Sequence, residues 1–380
     1  MVPNFRQTIL VVGAGAHVPY EMPTSKQLTK SIKDLGRYGG AVDSFNNRPM
    51  SHYPHGNVMK DKAIICRLLR DLQIVPDPRG ASSNSYPIKI NTVLDKFITA
   101  FSESRMYSID AFLAKYSERT LDGVVDEDIK LFPAVGKLLI SFFIKKHEEI
   151  PPVGYLEFDW IDHIINHFLK SPENMKEFFN QGPRIYTFNY DNLLENLLIK
   201  HLITFHNFSI SDAEKQVEKL NITHIYGKIG GPLNGASSKD KAAHESSLED
   251  IRVIGEERSK DQLDAISKSF GNALENTTWV YFLGFGFDPL NSGLLFRNVR
   301  KDYLPSDLKF NSTNVGLSQF DINEIRKHVP VNIHFHLNKE EGQEVDSLLL
   351  IREKAPIFQP PKLIRKPLSH RPSGGGWMGS

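Results

Sequence analysis

Short apolar runs, several of them followed by a helical stretch, constrain the fold of this chain more than any other feature. Most of these runs do not alternate apolar with polar residues, which is typical of strands buried on both faces of a parallel sheet. We predict strands at Thr8–Gly13, Arg184–Phe188, Thr223–Tyr226, Trp279–Leu283, roughly Thr313–Leu317, and Asn332–His336. Helices are predicted at Asn192–His201, Pro289–Arg300 and Asp321–His328. This order predicts an α/β fold, a Rossmann-like doubly wound parallel sheet of about six strands.

The stretch of about 150 residues between the first and second strands has a different pattern. Amphipathic helices are predicted there at Asn91–Tyr116, Phe132–Lys146 and Tyr155–Leu169, with a polar loop around Pro76–Tyr86. We therefore predict a large, mostly helical insertion at residues 36–179 in a core formed by residues 1–35 and 180–345.

Two further segments are polar. Ser237–Asp264 is charged and rich in alanine, and we predict a solvated loop that passes into a helix. The tail, residues 346–380, contains Pro, Gly and basic residues from Gln359 onward, so we predict a partly disordered or partner-bound terminus.

Composition excludes several classes of protein. The 46 basic and 45 acidic residues give a net charge of +1, so no global field favours nucleic acid. Cys66 is the only cysteine, which excludes an internal disulfide and a four-cysteine zinc site. No run approaches the roughly 18 to 20 apolar residues of a membrane span. We therefore expect a cytoplasmic protein that does not enter the membrane.

The first candidate motif is VVGAGAHVPYEMPTS, residues 11–25. Gly13, Ala14 and Gly15, followed by Ala16, allow a tight turn and the close approach of a pyrophosphate. The same glycines also suit a turn without any ligand. Further along the motif, a helix is predicted to begin at Pro23, Thr24 and Ser25, and the hydroxyl of either Thr24 or Ser25 can cap it.

The second motif, TFNYDN, follows the predicted strand that contains RIYTF. Asn189 and Asp191 stand where the strand ends, and ligands bind at the carboxyl ends of strands in open parallel sheets. Helix capping explains one of these two residues, but it does not readily explain both.

The third motif is HIYG, in which His224 and Tyr226 are two residues apart on a predicted strand and therefore share a face. Gly227 ends that strand. The interpretation of His224 as a packed or surface histidine stays open beside its interpretation as a general base.

The fourth motif, LGFGFDPLN, follows a buried strand. Gly284, Phe285 and Gly286 again allow a backbone to approach a ligand. Asp288 is predicted to cap a helix that begins at Pro289, and Asn291 falls in the first turn of that helix.

In this order the four motifs resemble those of the sirtuin-like superfamily. GAG matches its glycine turn, TFNYD its Asn-x-Asp loop, HIYG stands at its histidine–glycine position, and LGFGFD resembles its late glycine motif. SIDAFL, residues 108–113, also resembles a helix of bacterial sirtuin-like NADases.

The resemblance is to the prokaryotic anti-phage branch, because a lone cysteine cannot form the zinc module of the deacylases. It implies hydrolysis of NAD+ as substrate, without zinc, to nicotinamide and ADP-ribose. It also implies a homo-oligomer and a HerA-type ATPase partner, through which alone nucleic acid would be contacted. The motif residues above would bind NAD+, while Asn189, Asp191 and His224 or Tyr226 would act in catalysis.

One departure from the family pattern leaves alternatives open. The histidine that serves as general base directly precedes the glycine in the family, whereas Tyr226 stands there in this chain. A non-catalytic subunit that binds NAD+ or ADP-ribose is therefore the second interpretation. A protein deacylase or ADP-ribosyltransferase is the third.

Overall fold

A parallel sheet lies at the centre of the computed structural model, which describes residues 7–37, 56–76, 85–121, 126–148, 159–229, 239, 241–254, 256–335 and 346–354. Six strands pair in the order β3-β2-β1-β4-β5-β6, all of them parallel. The strands are β1 (Thr8–Val12), β2 (Arg184–Thr187), β3 (Ile222–His224), β4 (Trp279–Leu283), β5 (Lys309–Ser312) and β6 (Ile333–Phe335).

Helices connect and flank these strands. They are α1 (Ser25–Arg37), α2 (Gly56–Asp71), α3 (Ser85–Glu103), α4 (Ile109–Leu121), α5 (Phe132–Glu148), α6 (Trp160–Phe168), α7 (Pro172–Gln181), α8 (Leu193–His206), α9 (Ile210–Val217), α10 (Lys241–Asp250), α11 (Glu257–Leu274), α12 (Pro289–Phe296), α13 (Gln319–His328) and α14 (Ser347–Leu349). Short 3₁₀ helices lie at Ala14–Tyr20, Ile129–Leu131 and Lys301–Tyr303, and a π-helical turn at Leu350–Lys354.

Strand β1 is the centre of the sheet, and all five of its residues are buried. Its register places Val11 opposite Tyr186 on one side and opposite Phe282 on the other. An apolar run without alternation is what a strand covered on both faces requires. The strand order reverses between β1 and β4, and in a doubly wound sheet a crevice opens outside the carboxyl ends of two such strands.

The predicted α/β class and the doubly wound parallel sheet are confirmed, but the fifth strand was predicted in the wrong place. Strand β5 is Lys309–Ser312, and the predicted Thr313–Leu317 is the loop that follows it. Gly316 has φ +74° and the Leu317 N–H donates to Asn314 O, so this apolar segment turns. The buried polar residues Asn311 and Ser312 concealed the real strand.

Strand β3 is also shorter than predicted, because it ends at His224. The Gly227 N–H donates to His224 O, so Tyr226 lies in a turn. The expectation that His224 and Tyr226 share one face of a strand is therefore wrong.

The predicted helix Asn91–Tyr116 is in fact two helices, α3 and α4. Arg105, with φ +54°, lies in the break between them. The part of the predicted Tyr155–Leu169 helix that the structure describes is α6, which begins at Trp160 after the N-cap Asp159.

The segment Ser237–Asp264 passes into a helix, α11, as predicted, but its earlier part is not a solvated loop where the structure describes it. Helix α10 packs against α5, and His244 and Ser247 are fully buried. The Ser141 hydroxyl lies 2.8 Å from His244 Nδ1. Polar residues thus line a helix interface, which explains why composition alone suggested exposure.

Several predictions concern residues outside the described ranges, namely most of the Pro76–Tyr86 loop and the tail from Gln359. The division into a core and an insertion stays a prediction. In the part of the chain that the structure describes, no helix is long and apolar enough to cross a membrane.

The loops after β1 and β4 touch through their backbones. The Gly13 N–H donates to Leu283 O at 2.9 Å, and the Gly15 N–H donates to Gly284 O at 3.1 Å. Gly284 has φ +57°, and a Cβ atom on it would lie 1.9 Å from Ala16 N. Only glycine fits this contact, which joins the two strands at which the sheet reverses.

We predict that Gly284→Ala lowers the free energy of unfolding by at least about 2 kcal/mol, because the left-handed backbone and the clash both oppose a Cβ atom. Gly286→Ala is the matched control, since nothing lies within 4 Å of a Cβ atom there. Urea unfolding of both variants measures the difference. Equal stability of the two would contradict the assigned contact.

Candidate functional site

A cavity of about 1000 Å³ lies at the carboxyl edge of the sheet. The loops that follow five of the strands, β1 to β5, contribute to its lining, as does the helical stretch between β1 and β2. Of the predicted site residues, it brings together Gly13, Ala14, Gly15, Pro23, Thr24, Ser25, Asn189, Asp191, Tyr226, Gly284, Phe285, Gly286, Asp288 and Asn291. Such an edge cavity is the usual ligand position in an open α/β sheet.

The glycine turn after β1 is not arranged to bind a pyrophosphate through its glycine N–H groups, as the first motif suggested. The N–H groups of Gly13 and Gly15 are engaged by the β4 loop, so they are not free to cradle a pyrophosphate. Packing between the two loops explains these glycines without a ligand. Gly286 differs, because it lines the cavity and a Cβ atom there would meet nothing.

The amino terminus of α1 also faces the cavity. Thr24 and Gln27 form a capping box, in which Thr24 Oγ1 accepts from Gln27 N–H and Gln27 Oε1 accepts from Thr24 N–H. Thr24 is therefore the cap, as predicted for one of the two hydroxyl residues. The first turn contains no acidic residue, and Lys26 lines the cavity beside it. This end of the helix attracts anions.

A buried hydrogen-bonded cluster joins the β1 and β2 loops. His17 Nδ1 lies 2.9 Å from Asp191 Oδ1 and 2.9 Å from Asn189 Nδ2. The exposed fractions are only 3% for His17, 4% for Asn189 and 5% for Asp191. The His17 ring stacks on Trp160, whose Nε1–H donates to Ala16 O. Packing and hydrogen bonds thus fix the two polar residues of the second motif.

Asp191 is held as a carboxylate. Burial alone would raise its pKa, but the His17 ring, the Leu193 N–H and the more distant His224 together bring the pKa below its ordinary value. The Leu193 N–H lies 3.0 Å from Asp191 Oδ1, so Asp191 also binds the first turn of α8. It therefore has a capping role in addition to facing the cavity, and one interpretation does not exclude the other.

Tyr226 is a hydrogen-bond donor in the cavity wall. Its hydroxyl lies 2.5 Å from Asn291 Oδ1, and Asp288 caps the same helix by accepting from Leu290 N–H and Asn291 N–H. Burial, with added effects of nearby Asp110 and Asp288, raises the pKa of Tyr226 well above its ordinary value. Tyr226 therefore stays protonated at neutral pH and cannot replace histidine as a base.

The helical stretch between β1 and β2 supplies residues that sequence reasoning missed. The Tyr190 hydroxyl donates to Asp110 Oδ1, in the SIDAFL motif at the start of α4. Burial raises the pKa of Asp110, although this hydrogen bond opposes the change. Arg105 and Tyr107, from the break before α4, also line the cavity.

Three predicted site residues lie elsewhere. His224 lines a separate cavity of about 660 Å³, where its Nε2 atom is 2.7 Å from Glu195 Oε1. Gly227 lines that cavity too, and its φ of +77° and contact with Asp250 O explain the glycine. Ala16 is buried and does not line the large cavity. His224 is thus not placed to act as the general base expected of it.

His17 was missed although it follows Gly15 by only two residues. A histidine directly behind a glycine turn is a weak signal, because its partners Asn189 and Asp191 are more than 170 positions away. Only the pairing of β1 with β2 brings them together.

No protein-family model and no curated protein matches the chain. Within the described ranges, no group of three or more His, Cys, Asp or Glu side chains is arranged to hold a metal ion. A function is therefore inferred from the fold and from the cavity.

We predict that Asp191→Asn lowers the free energy of unfolding at pH 7 by about 1–3 kcal/mol, because a charged partner of His17 is lost. The folded pKa of Asp191 is lowered, so its contribution is fully present above the ordinary pKa of 3.8 and disappears as pH falls through the folded pKa.

The gap between wild type and variant in urea unfolding should therefore hold from pH 7 to about 5 and narrow as the pH falls below 3.8. Asp261→Asn, at an exposed position of α11, is the surface control and should change stability by less than about 0.5 kcal/mol. A gap that is absent at pH 7, or that widens below pH 3.8, would contradict the assigned hydrogen bond between His17 and Asp191.

Proposed function

We propose that this protein hydrolyses the nicotinamide–ribose bond of NAD+ to give nicotinamide and ADP-ribose. The observation that carries the proposal is the buried Asn189–His17–Asp191 cluster at the wall of the large carboxyl-edge cavity. Amide and carboxylate groups fixed in this way suit a reaction that needs positioning and charge stabilisation more than a strong acid.

Binding of a dinucleotide is supported by the size of the cavity and by the cationic Lys26 beside the amino terminus of α1. Its volume lies at the upper end of the range for small-molecule sites, and Gly286 leaves room for close approach. Lys26, Arg105 and the amino terminus of α1 would face the pyrophosphate. This replaces a pyrophosphate bound by the Gly13 and Gly15 amides.

In the reaction proposed, the bond from C1′ to the pyridinium nitrogen breaks and its electron pair leaves with neutral nicotinamide. The carboxylate of Asp191 stabilises the oxocarbenium-like centre that results. Asn189 holds the attacking water or a ribose hydroxyl. The water oxygen bonds to C1′, and its proton passes to the carboxylate of Asp191, which lines the same cavity as Asn189.

The biological setting is proposed from the resemblance to anti-phage proteins. Depletion of NAD+ would make the protein an abortive-infection effector in the cytoplasm. It would act as a homo-oligomer with a HerA-type ATPase, and any contact with nucleic acid would pass through that partner.

The test is to incubate the protein with NAD+, alone and with the ATPase, and to quantify nicotinamide and ADP-ribose. We expect Asn189→Ala to reduce kcat/KM by at least about 100-fold, as for loss of one preorganised hydrogen-bond group. Asn196→Ala, on α8, is the matched control and should keep the wild-type rate. A folded Asn189→Ala protein with the wild-type rate would overturn the mechanism.

A non-catalytic sensor of NAD+ or ADP-ribose is the second candidate. The protonated Tyr226 at the position of the family's histidine favours it, because the cavity then lacks that base. Saturable binding without turnover, with the ATPase present, would support the sensor. Nicotinamide release without an acceptor would support the hydrolase.

A further inference from the structure

His17 stands between the two polar residues on which the proposed chemistry depends. Its Nδ1 atom is 2.9 Å from a carboxylate oxygen of Asp191 and 2.9 Å from the Asn189 amide nitrogen. A single ring nitrogen cannot donate to Asp191 and accept from the Asn189 amide at the same time. Nδ1 either carries a proton and donates, or carries a lone pair and accepts.

The Asp191 contact decides between these states. An ionised carboxylate can only accept a hydrogen bond, so Nδ1 must carry the proton and donate to Asp191 Oδ1. The Asn189 NH₂ group is also a donor, and two donors 2.9 Å apart oppose each other. The donor–donor conflict disappears when the amide is turned by 180°, because Asn189 Oδ1 then lies beside the Nδ1–H, which is shared between the two acceptor oxygens of Asp191 and Asn189.

The other amide atom of Asn189 is buried and has no hydrogen-bond partner within the described part of the chain. After the turn that atom is a nitrogen whose N–H groups lack an acceptor in the wall of the cavity that Asn189 lines, and a buried donor without an acceptor is costly. We infer that His17 is a positioning residue that, with a proton on Nδ1, orients Asn189 so that its NH₂ group donates to the bound ligand. This inference rests on the proposed function for its activity test only.

An oriented NH₂ group has a chemical consequence. It donates to one lone pair of a ribose hydroxyl or of the attacking water, and so it directs the second lone pair toward C1′ and leaves the O–H proton for transfer to Asp191. An amide turned the other way would accept from the same hydroxyl or water instead. His17 thus selects donation over acceptance at the reacting end of the cavity.

Two variants separate positioning from packing. His17→Phe keeps the ring that stacks on Trp160 but loses the Nδ1–H. His17→Asn loses the ring but can place an amide N–H near the former Nδ1 position. Positioning predicts that kcat for NAD+ hydrolysis falls by at least about 100-fold in His17→Phe and by about 10-fold or less in His17→Asn.

A packing role predicts the opposite order, with His17→Phe the more active variant, and that result would overturn the inference. Stability measured by urea unfolding reports packing separately. A loss of kcat in His17→Phe with little change in KM supports positioning, because the binding surface of the cavity is retained.

A second measurement does not depend on NAD+ hydrolysis. Long-range nitrogen–proton NMR of protein labelled with ¹⁵N-histidine identifies which ring nitrogens carry protons, and the signals absent from His17→Asn assign His17. We expect a protonated Nδ1 at pH 7. An unprotonated Nδ1 would overturn the inference, whereas a protonated Nδ1 in a protein without turnover would leave the orientation intact and refute the hydrolase.

Discussion

The backbone contact between the loops after β1 and β4 is the constraint on which the rest of the site depends. Gly15 donates to Gly284 O, and Gly284 can hold its left-handed conformation against Ala16 only without a side chain. This contact fixes the position of the 3₁₀ helix that follows β1, and with it His17. His17 in turn contacts Asp191 and Asn189, and these two residues line the cavity.

The ionisable side chains of the cavity fall into two groups, which differ in the direction in which their pKa values are changed. Asp191 is kept ionised by the neighbouring His17, which opposes the effect of burial. Asp110, Tyr190 and Tyr226 form a second group in which burial raises the pKa values and favours the neutral forms. A fixed negative charge in the same cavity as the protonated hydroxyl of Tyr226 is an arrangement that stabilises a cation in the ligand while holding its polar groups in place.

The sequence was sufficient to predict most of the sheet, because β1, β2 and β4 are buried apolar runs bounded by turn residues. It was misleading where polar residues are buried: Asn311 and Ser312 concealed β5. Most candidate cavity residues were found because they follow strands directly. His224 was expected beside Tyr226 because β3 ends two residues earlier than predicted, and the two side chains line different cavities. His17 and Asp110 were missed because only tertiary pairing brings them to the site.

We propose that a dinucleotide binds at the carboxyl edge with its reacting ribose beside Asn189. A crystal structure of the protein with ADP-ribose would show whether it does. We expect the pyrophosphate at the amino terminus of α1, and a ribose oxygen within hydrogen-bond distance of the Asn189 amide nitrogen. ADP-ribose bound in the cavity around His224 and Glu195, or away from the carboxyl edge, would contradict it.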